Sequence, residues 1–376
     1  IRGISSNIPF QAALLAHPKF VSGDFNTGFI AENYSQGFAA QDVPQLGIGA
    51  GIDSVELGVR LRYEITREFA PYIGIEQAWR TGNGADFARA RGEDPSATSF
   101  VAGIRSNFDS VAEGLHALYA DYPVASDDDF CDYPVEVRSS GLRRYLRPQA
   151  IFRFEGTQPF KPLPGSQAVA MLEWGLNWVF TNHAQHYLII HAAVLERDGQ
   201  GLILAAPPGS GKSTLCAGLA LRGWRLLSDE LAMVGLEDGL LLPLPRPVSL
   251  KNRSIDIVRG LPGDPVIGPM AHDTAKGTVA HLKPPRSSVE EALSRVQPRW
   301  VVLPKFEAGS DCAVQPMGRA RMFMSLVSNA FNYPRLGVTG FQAMGRLVEA
   351  CDGYTARYGS LDQIVPVLES ICSRPA

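Results

Sequence analysis

Residues 201–234 read GLILAAPPGSGKSTLCAGLALRGWRLLSDELAMV, and the fold turns on how this stretch is parsed. Leu202 to Ala206 is a short apolar run of strand length. Pro207 and Pro208 close it, since no helix interior tolerates such a pair. Gly209-Ser210-Gly211-Lys212-Ser213-Thr214 follows, and a helical pattern runs on from Leu215 to Leu221. Strand, glycine-rich turn and helix in that order form the context a phosphate-binding loop requires. Trp224 to Ser228 then reads as a second strand that ends in Asp229-Glu230.

Each residue type in the loop answers a physical demand. Glycines let successive backbone N–H groups curl round an anion with no Cβ in the way. The following helix points its unsatisfied N–H groups and positive dipole end at the same place. This assigns Pro208, Gly209, Ser210, Gly211, Lys212, Ser213 and Thr214 to the cradle of a nucleotide. Lys212 supplies charge for the β- and γ-phosphates, and the Ser213 hydroxyl is a ligand for their Mg²⁺. The usual pattern opens with glycine, and Ala206 stands there instead. Acids beyond the carboxyl end of a neighbouring strand face such a loop. Asp229 is then the base for an attacking hydroxyl and Glu230 a metal contact, with the capping of a turn as the alternative reading.

With a His-led strand before it, the stretch resembles the HPr kinase family of P-loop serine kinases. The nearer likeness is to the branch called HPr-kinase-related kinase A, found beside exosortase and exopolysaccharide genes. The phrases that carry it are GLHALYADYP (114–123), RPQAIFRFEG (147–156), FKPLPGSQA (160–168), MLEWGLNWVF (171–180), HYLIIHAAVLER (186–197), TAKGTVAHLKPP (274–285) and SNAFNY (328–333). The resemblance covers about residues 100–376 and implies an α/β fold. Its P-loop core is of the HPr kinase / PEP carboxykinase-like type, here with an N-terminal helical and β-hairpin extension. It implies an ATP- and Mg²⁺-dependent serine kinase, a protein or peptide acceptor, and a homo-oligomer. His191 becomes a catalytic-site neighbour, whereas a lone histidine in a strand otherwise reads as a hydrogen-bonded core residue. A non-catalytic ATP-binding sensor or scaffold is the alternative.

Bulk properties set the frame. At 376 residues, 45% hydrophobic and 19% charged, the chain is long enough for more than one domain and composed like an ordinary globular protein. A net charge of -3 and the lack of a dense basic run give no reason to expect bulk nucleic-acid binding. No 18-residue apolar stretch and no signal peptide are seen, so neither membrane insertion nor export is expected. Five scattered cysteines without C-x-x-C spacing fit free thiols in a cytoplasmic protein. Ile1 in place of Met is consistent with a processed or partial chain.

The first hundred residues differ in character. Residues 1–40 resemble the C-terminal tail of biotin carboxylase domains and read as a helix from Pro9 to Ala16, a turn at residues 22–24, and a short element near Phe29 to Asn33. Carboxylation is not expected without the rest of such a domain. Within 41–107, Val55, Leu57, Val59, Leu61, Tyr63 and Ile65 alternate with polar or small residues, the period of an amphipathic strand. Residues 70–79 and 99–104 are candidate partners. This segment resembles the last hairpins of the copper-resistance outer-membrane protein B family. Three strands fall short of the eight that close a lipid-facing barrel. Residues 41–107 also contain no His, Met or Cys for copper. The three likenesses divide the chain at 1–40, 41–107 and 108–376, and a non-functional chimera is a further reading.

Further along, helices are expected at 111–119, 169–180, 320–330, 340–350 and 364–372. Strands are expected at 133–138, 150–154, 187–195, 239–244 and 299–305. Arg246 and Lys251 are candidates for a phosphate or substrate surface, and Lys276-Gly277 for a mobile basic loop over the site; all three read equally as solvated charges.

Overall fold

The computed structural model describes residues 54–56, 76–80, 96–99, 102–124, 132–139 and 147–373. The chain divides into one unit of residues 1–65, 74–101 and 128–132, and a second of 66–73, 102–127 and 133–376. In the first, β1 (Ser54–Glu56), β2 (Glu76–Arg80) and β3 (Ser96–Ser99) form an antiparallel sheet in that order. The expected elements at 9–16 and 29–33, and the alternating run beyond Glu56, lie outside the described residues.

The second unit opens with β4 (Ala102–Ser106), α1 (Asp109–Tyr119), β5 (Tyr133–Arg138), β6 (Gln149–Phe154), β7 (Leu163–Pro164) and α2 (Ala168–His183). The single strand expected at 99–104 is corrected, because β3 ends at Ser99 and β4 belongs to another sheet. Strands β4 to β7 lie in sequence order, the first pair parallel and the others antiparallel. Helix α2 is apolar nearly all round because it is buried nearly all round. Gly175 permits its approach to the sheet: a Cβ there would stand 2.0 Å from the Phe152 ring.

The chain continues through β8 (Tyr187–Ile190), β9 (Ala192–Arg197), β10 (Gln200–Ala205), α3 (Lys212–Ala220), β11 (Arg225–Ser228), β12 (Ala232–Gly235), β13 (Leu241–Leu242), β14 (Val248–Lys251) and α4 (Arg253–Arg259). Next come β15 (Ala271–Thr274), β16 (Gly277–Leu282), α5 (Arg286–Glu290), β17 (Gln297–Phe306), β18 (Ala313–Met317), α6 (Arg319–Ser328), α7 (Tyr333–Ala350), β19 (Asp352–Tyr358) and α8 (Leu361–Cys372). Six strands form the main sheet in the order β11-β9-β10-β17-β19-β18. Pairings β10–β17 and β17–β19 are parallel, and the outer ones antiparallel.

Both faces of this sheet are covered, which is why its strands read as continuous apolar runs. Leu202, Leu204, Trp300 and Val302 pack on one face with α3, α4 and α8. Ile203, Ala205 and Val301 pack on the other with α6 and α7. The side-chain alternation of a strand sends neighbours to opposite cores. Among the described residues, no helix is long and apolar enough to cross a membrane.

The strand expected at 187–195 is corrected. It breaks at His191, where the chain leaves the β13-β12-β8 sheet for the main one. The cause lies in residues 329–332, which compete for the backbone there. His191 N–H donates to Asn329 O at 2.7 Å, and Phe331 N–H to Ile189 O at 2.9 Å. The buried Asn332 amide clamps the same strand, accepting from Ile189 N–H at 2.9 Å and donating to Tyr187 O at 2.8 Å.

Candidate functional site

The loop 206–211 leaves the carboxyl end of β10 in the middle of the main sheet. Gly209 and Gly211 both have positive φ, +86° and +87°, and Gly211 is the residue just before α3. Phe306 N–H holds the loop by donating to Ser210 O at 2.9 Å, and Tyr358 Oη donates to Gly211 O at 3.3 Å. The ends of two strands parallel to β10 thus grip the turn. A Cβ at position 211 would lie 2.7 Å from Tyr358 Oη and 2.8 Å from Phe306 Cβ, whereas one at 209 meets nothing within 4 Å. Gly211→Ala therefore combines backbone strain of about 1–2 kcal/mol with overpacking of about 1–3 kcal/mol. Gly209→Ala carries the strain alone. Thermal denaturation should show the larger fall in Tm for Gly211→Ala; equal shifts would contradict this account of the loop.

Lys212 opens α3 and is buried, 7% exposed, yet its Nζ finds no hydrogen-bond partner among the described residues. Burial pulls its pKa down, against the opposing pull of Asp229 and Glu230. Ser213 Oγ, one residue on, donates to Asp229 Oδ2 at 3.0 Å, and Ser249 N–H donates to the same oxygen at 3.0 Å. The other oxygen, Asp229 Oδ1, has no partner among the described residues. Burial, then the neighbouring Glu230, push the Asp229 carboxyl up to about 6, in spite of Lys212 and the two hydrogen bonds. Glu230 moves the other way. Burial would raise it, but the hydrogen bond with His191 and the charges of Lys212 and Lys251 hold it well below the usual range. His191 Nε2 lies 3.3 Å from Glu230 Oε2, and its ring packs 5.7 Å from that of Phe331.

The sequence-assigned residues therefore converge, with their pairing refined. Ser213 contacts Asp229, and Glu230 contacts His191. Two other candidates are corrected. Arg246 is no solvated surface cation: its guanidinium bonds Glu173 Oε2 at 2.6 Å, Glu173 O at 3.0 Å and Asn177 Oδ1 at 2.6 Å. Tyr119 Oη donates to Glu173 Oε1 at 2.7 Å, completing a buried network. The segment at 274–282 is a β-hairpin rather than a mobile loop. Asn252 fastens its tip, accepting from Thr278 N–H at 3.0 Å and donating to Lys276 O at 3.3 Å. Lys276 Nζ lies 4.9 Å from the centre of the Trp174 ring. Burial, then Lys251, lower its pKa while Glu230 raises it.

Sequence reasoning missed His281, Trp174 and the Phe306–Tyr358 grip. His281 is 2% exposed, and burial lowers its pKa. Its alternation partners in β16 are all apolar, so no local signal marks it. Among the described residues, no cluster of three or more His, Cys, Asp or Glu is arranged to hold a metal ion.

Comparison with known proteins gives two family-model matches. "Copper resistance protein B precursor" matches residues 30–108, and "SynChlorMet cassette protein ScmC" matches residues 164–240, the stretch that holds the loop and both acids. Copper resistance protein B of Escherichia coli is 42% identical over 80 residues, 21% of this chain and 27% of that protein. Its homolog in Pseudomonas syringae pv. tomato is 44% identical over 68 residues, 18% of this chain and 23% of that protein. The propionyl-CoA carboxylase alpha chain of Ruegeria pomeroyi is 49% identical over 45 residues, 12% of this chain and 7% of that protein. The chain thus spans about a quarter or less of the length of these relatives.

These matches correct three expectations. Membership of the HPr-kinase-like P-loop serine kinases, with the exosortase association, is withdrawn: the family findings are copper resistance protein B at the N-terminal region, with no HPr kinase among them. Kinase and phosphate loop are withdrawn as family descriptors, since the relatives matched are named for copper resistance and not for either. Cytoplasmic placement is withdrawn too, because the family matched at 30–108 is described as a precursor.

Proposed function

We propose that the site at residues 206–230 is a phosphotransferase centre, moving the γ-phosphoryl group of ATP to a hydroxyl. One observation carries the reading. The Lys212 ammonium is buried at a helix N-terminus beside two acids, and its Nζ lacks a hydrogen-bond partner among the described residues. An unmade hydrogen bond at a buried charge is costly, and polyphosphate is the ligand whose chemistry removes that cost. The positive φ of Gly209 and Gly211 lets the loop turn back before α3 with no Cβ toward the same anion, while Ser210 N–H closes the turn by donating to Pro207 O at 3.3 Å.

The residues suit an ATP–Mg²⁺ complex. Ser213 keeps its lone pairs while its proton goes to Asp229, and the ionised Glu230 lies close enough to feel Lys212. Both are hard oxygen donors of the kind Mg²⁺ takes alongside phosphate oxygens. When bound, the ion neutralises charge that develops on the phosphates. Asp229, anchored through Oδ2 by Ser213 and Ser249, has Oδ1 left to accept the proton of the attacking hydroxyl. Lys212 stabilises the phosphoryl oxygens, and His191 orients Glu230. Copper handling, which the relatives' names would bring to residues 30–108, is not part of this reading, since those residues contain no His, Met or Cys.

Phosphorus NMR of the full chain with ATP, Mg²⁺ and hydroxyl compounds tests the reaction. The expected result is conversion of the γ-phosphate signal into a phosphomonoester signal. Tight ATP binding with no consumption would replace the enzyme by an ATP-binding sensor or scaffold.

A further inference from the structure

Ten large apolar side chains stand exposed among the described residues, and four of them lie on α6, α7 and the turn between the two helices. These are Met324, Phe331, Val338 and Phe341, each at least 50% exposed, so they project from the surface. Exposed apolar residues scattered singly need no explanation, but four on one helix pair do. Phe341 rests on an aromatic cluster: its ring lies 5.6 Å from that of Phe323, which lies 6.4 Å from that of Tyr333.

The same stretch carries charge of one sign. Residues 313–348 contain Arg319, Arg321, Arg335 and Arg346 and no Asp, Glu or Lys, in a chain whose net charge is -3. Arg346 donates to Leu236 O. The guanidinium groups of the other three are exposed and have no hydrogen-bond or ion-pair partner among the described residues. Projecting Phe, Met and Val side chains beside unpaired arginines are the pattern of a surface that lies in a membrane interface.

We propose that α6 and α7 form a docking face for an anionic bilayer surface, with the arginines at the lipid phosphates and the four apolar side chains dipping into the boundary below. Charge selects this occupant over a second copy of the chain, because a symmetric pairing of the face with itself would set arginine against arginine. A partner protein would need a pocket shaped for each projecting side chain, whereas a fluid bilayer takes them without one. A face of uniform positive sign also matches a uniformly anionic leaflet. Attachment is peripheral, since no described helix is long and apolar enough to cross. Phe331 joins the face to the site: its ring lies 5.7 Å from that of His191, which contacts Glu230. Docking therefore holds the site at the lipid surface, and the proposal does not depend on the phosphotransferase reading.

The test is flotation of the full chain with vesicles of phosphatidylcholine alone and of equal parts phosphatidylcholine and phosphatidylserine. The chain should rise with the mixed vesicles, stay behind with the neutral ones, and be released by high salt. Arg319→Gln with Arg321→Gln removes two exposed, unpaired charges and should weaken binding to the mixed vesicles about tenfold or more at unchanged Tm. Met324→Ser with Val338→Ser should weaken it about tenfold. If the serine variant melts below wild type, the arginine pair decides. Wild-type binding by the arginine variant, equal flotation with both lipids, or no flotation with either overturns the proposal. Self-association off vesicles that the serine variant abolishes would give the face to a second copy instead.

Discussion

Asp229→Asn is expected to lower turnover by about 10²–10⁴-fold, the range for loss of a general base, while leaving the fold intact. The amide oxygen can occupy the place of Oδ2 and keep the bonds from Ser213 Oγ and Ser249 N–H, so local geometry survives. What disappears is the oxygen free to take a proton. The wild-type rate should rise with pH through about 6, where the buried carboxyl ionises, and level off above it. The variant's residual rate should lack that step. Stability supplies an independent sign. The carboxyl takes its proton near 6 in the fold against 3.8 ordinarily. Its contribution is therefore fully present below about pH 4 and lost as pH rises through 6. Above pH 6 the Asp229→Asn variant should melt no lower than wild type. A variant that melts well below wild type and keeps the pH step would refute the assignment of Asp229 as base.

Lys212→Ala is expected to abolish nucleotide-dependent turnover, with a loss of about 10²–10³-fold or more, because the buried ammonium at the start of α3 that would meet the phosphates is gone. Folding should tolerate the change. Its Nζ makes no hydrogen bond to a described residue, and burial already disfavours its charge. The aliphatic stem packs at the start of α3, so a modest fall in Tm from lost contact is the ceiling. A Lys212→Met variant, which retains most of that volume, separates packing from charge. It should match wild type in Tm and match Lys212→Ala in activity.

The centre of the fold was readable because its signals are local. Pro207-Pro208 had to end β10, and the helix had to begin near Lys212 once Gly211 supplied a left-handed residue. The strands at 133–138 and 149–154 and the helix at 361–372 carry a periodicity that needs no tertiary information, and the helix at 168–183 is marked by the length of its apolar run. What sequence reasoning missed was set at a distance. The break at His191 is enforced by Asn329 and Asn332, which lie over 130 residues away in the chain. Strand β19 was not anticipated, although it is the parallel neighbour of β17 and supplies Tyr358 to the loop. Arg246 looked like a surface cation because its partner Glu173 sits inside an apolar helix, where a lone acid gives no hint of a buried pair. The acids at 229 and 230 were found together. They were assigned separate roles, base and metal contact, but the partners each meets, Ser249 for Asp229 and His191 for Glu230, were not read, because neither lies beside them in sequence.

The central claim is that Lys212 and the glycine loop form an anion site for a nucleotide, and calorimetric titration of ATP tests it most directly. The titration is run with and without Mg²⁺, on the full chain and on Lys212→Ala. The account predicts saturable, Mg²⁺-dependent binding by the wild type and its loss in the variant. Absence of binding by both proteins, or equal binding by both, would contradict it.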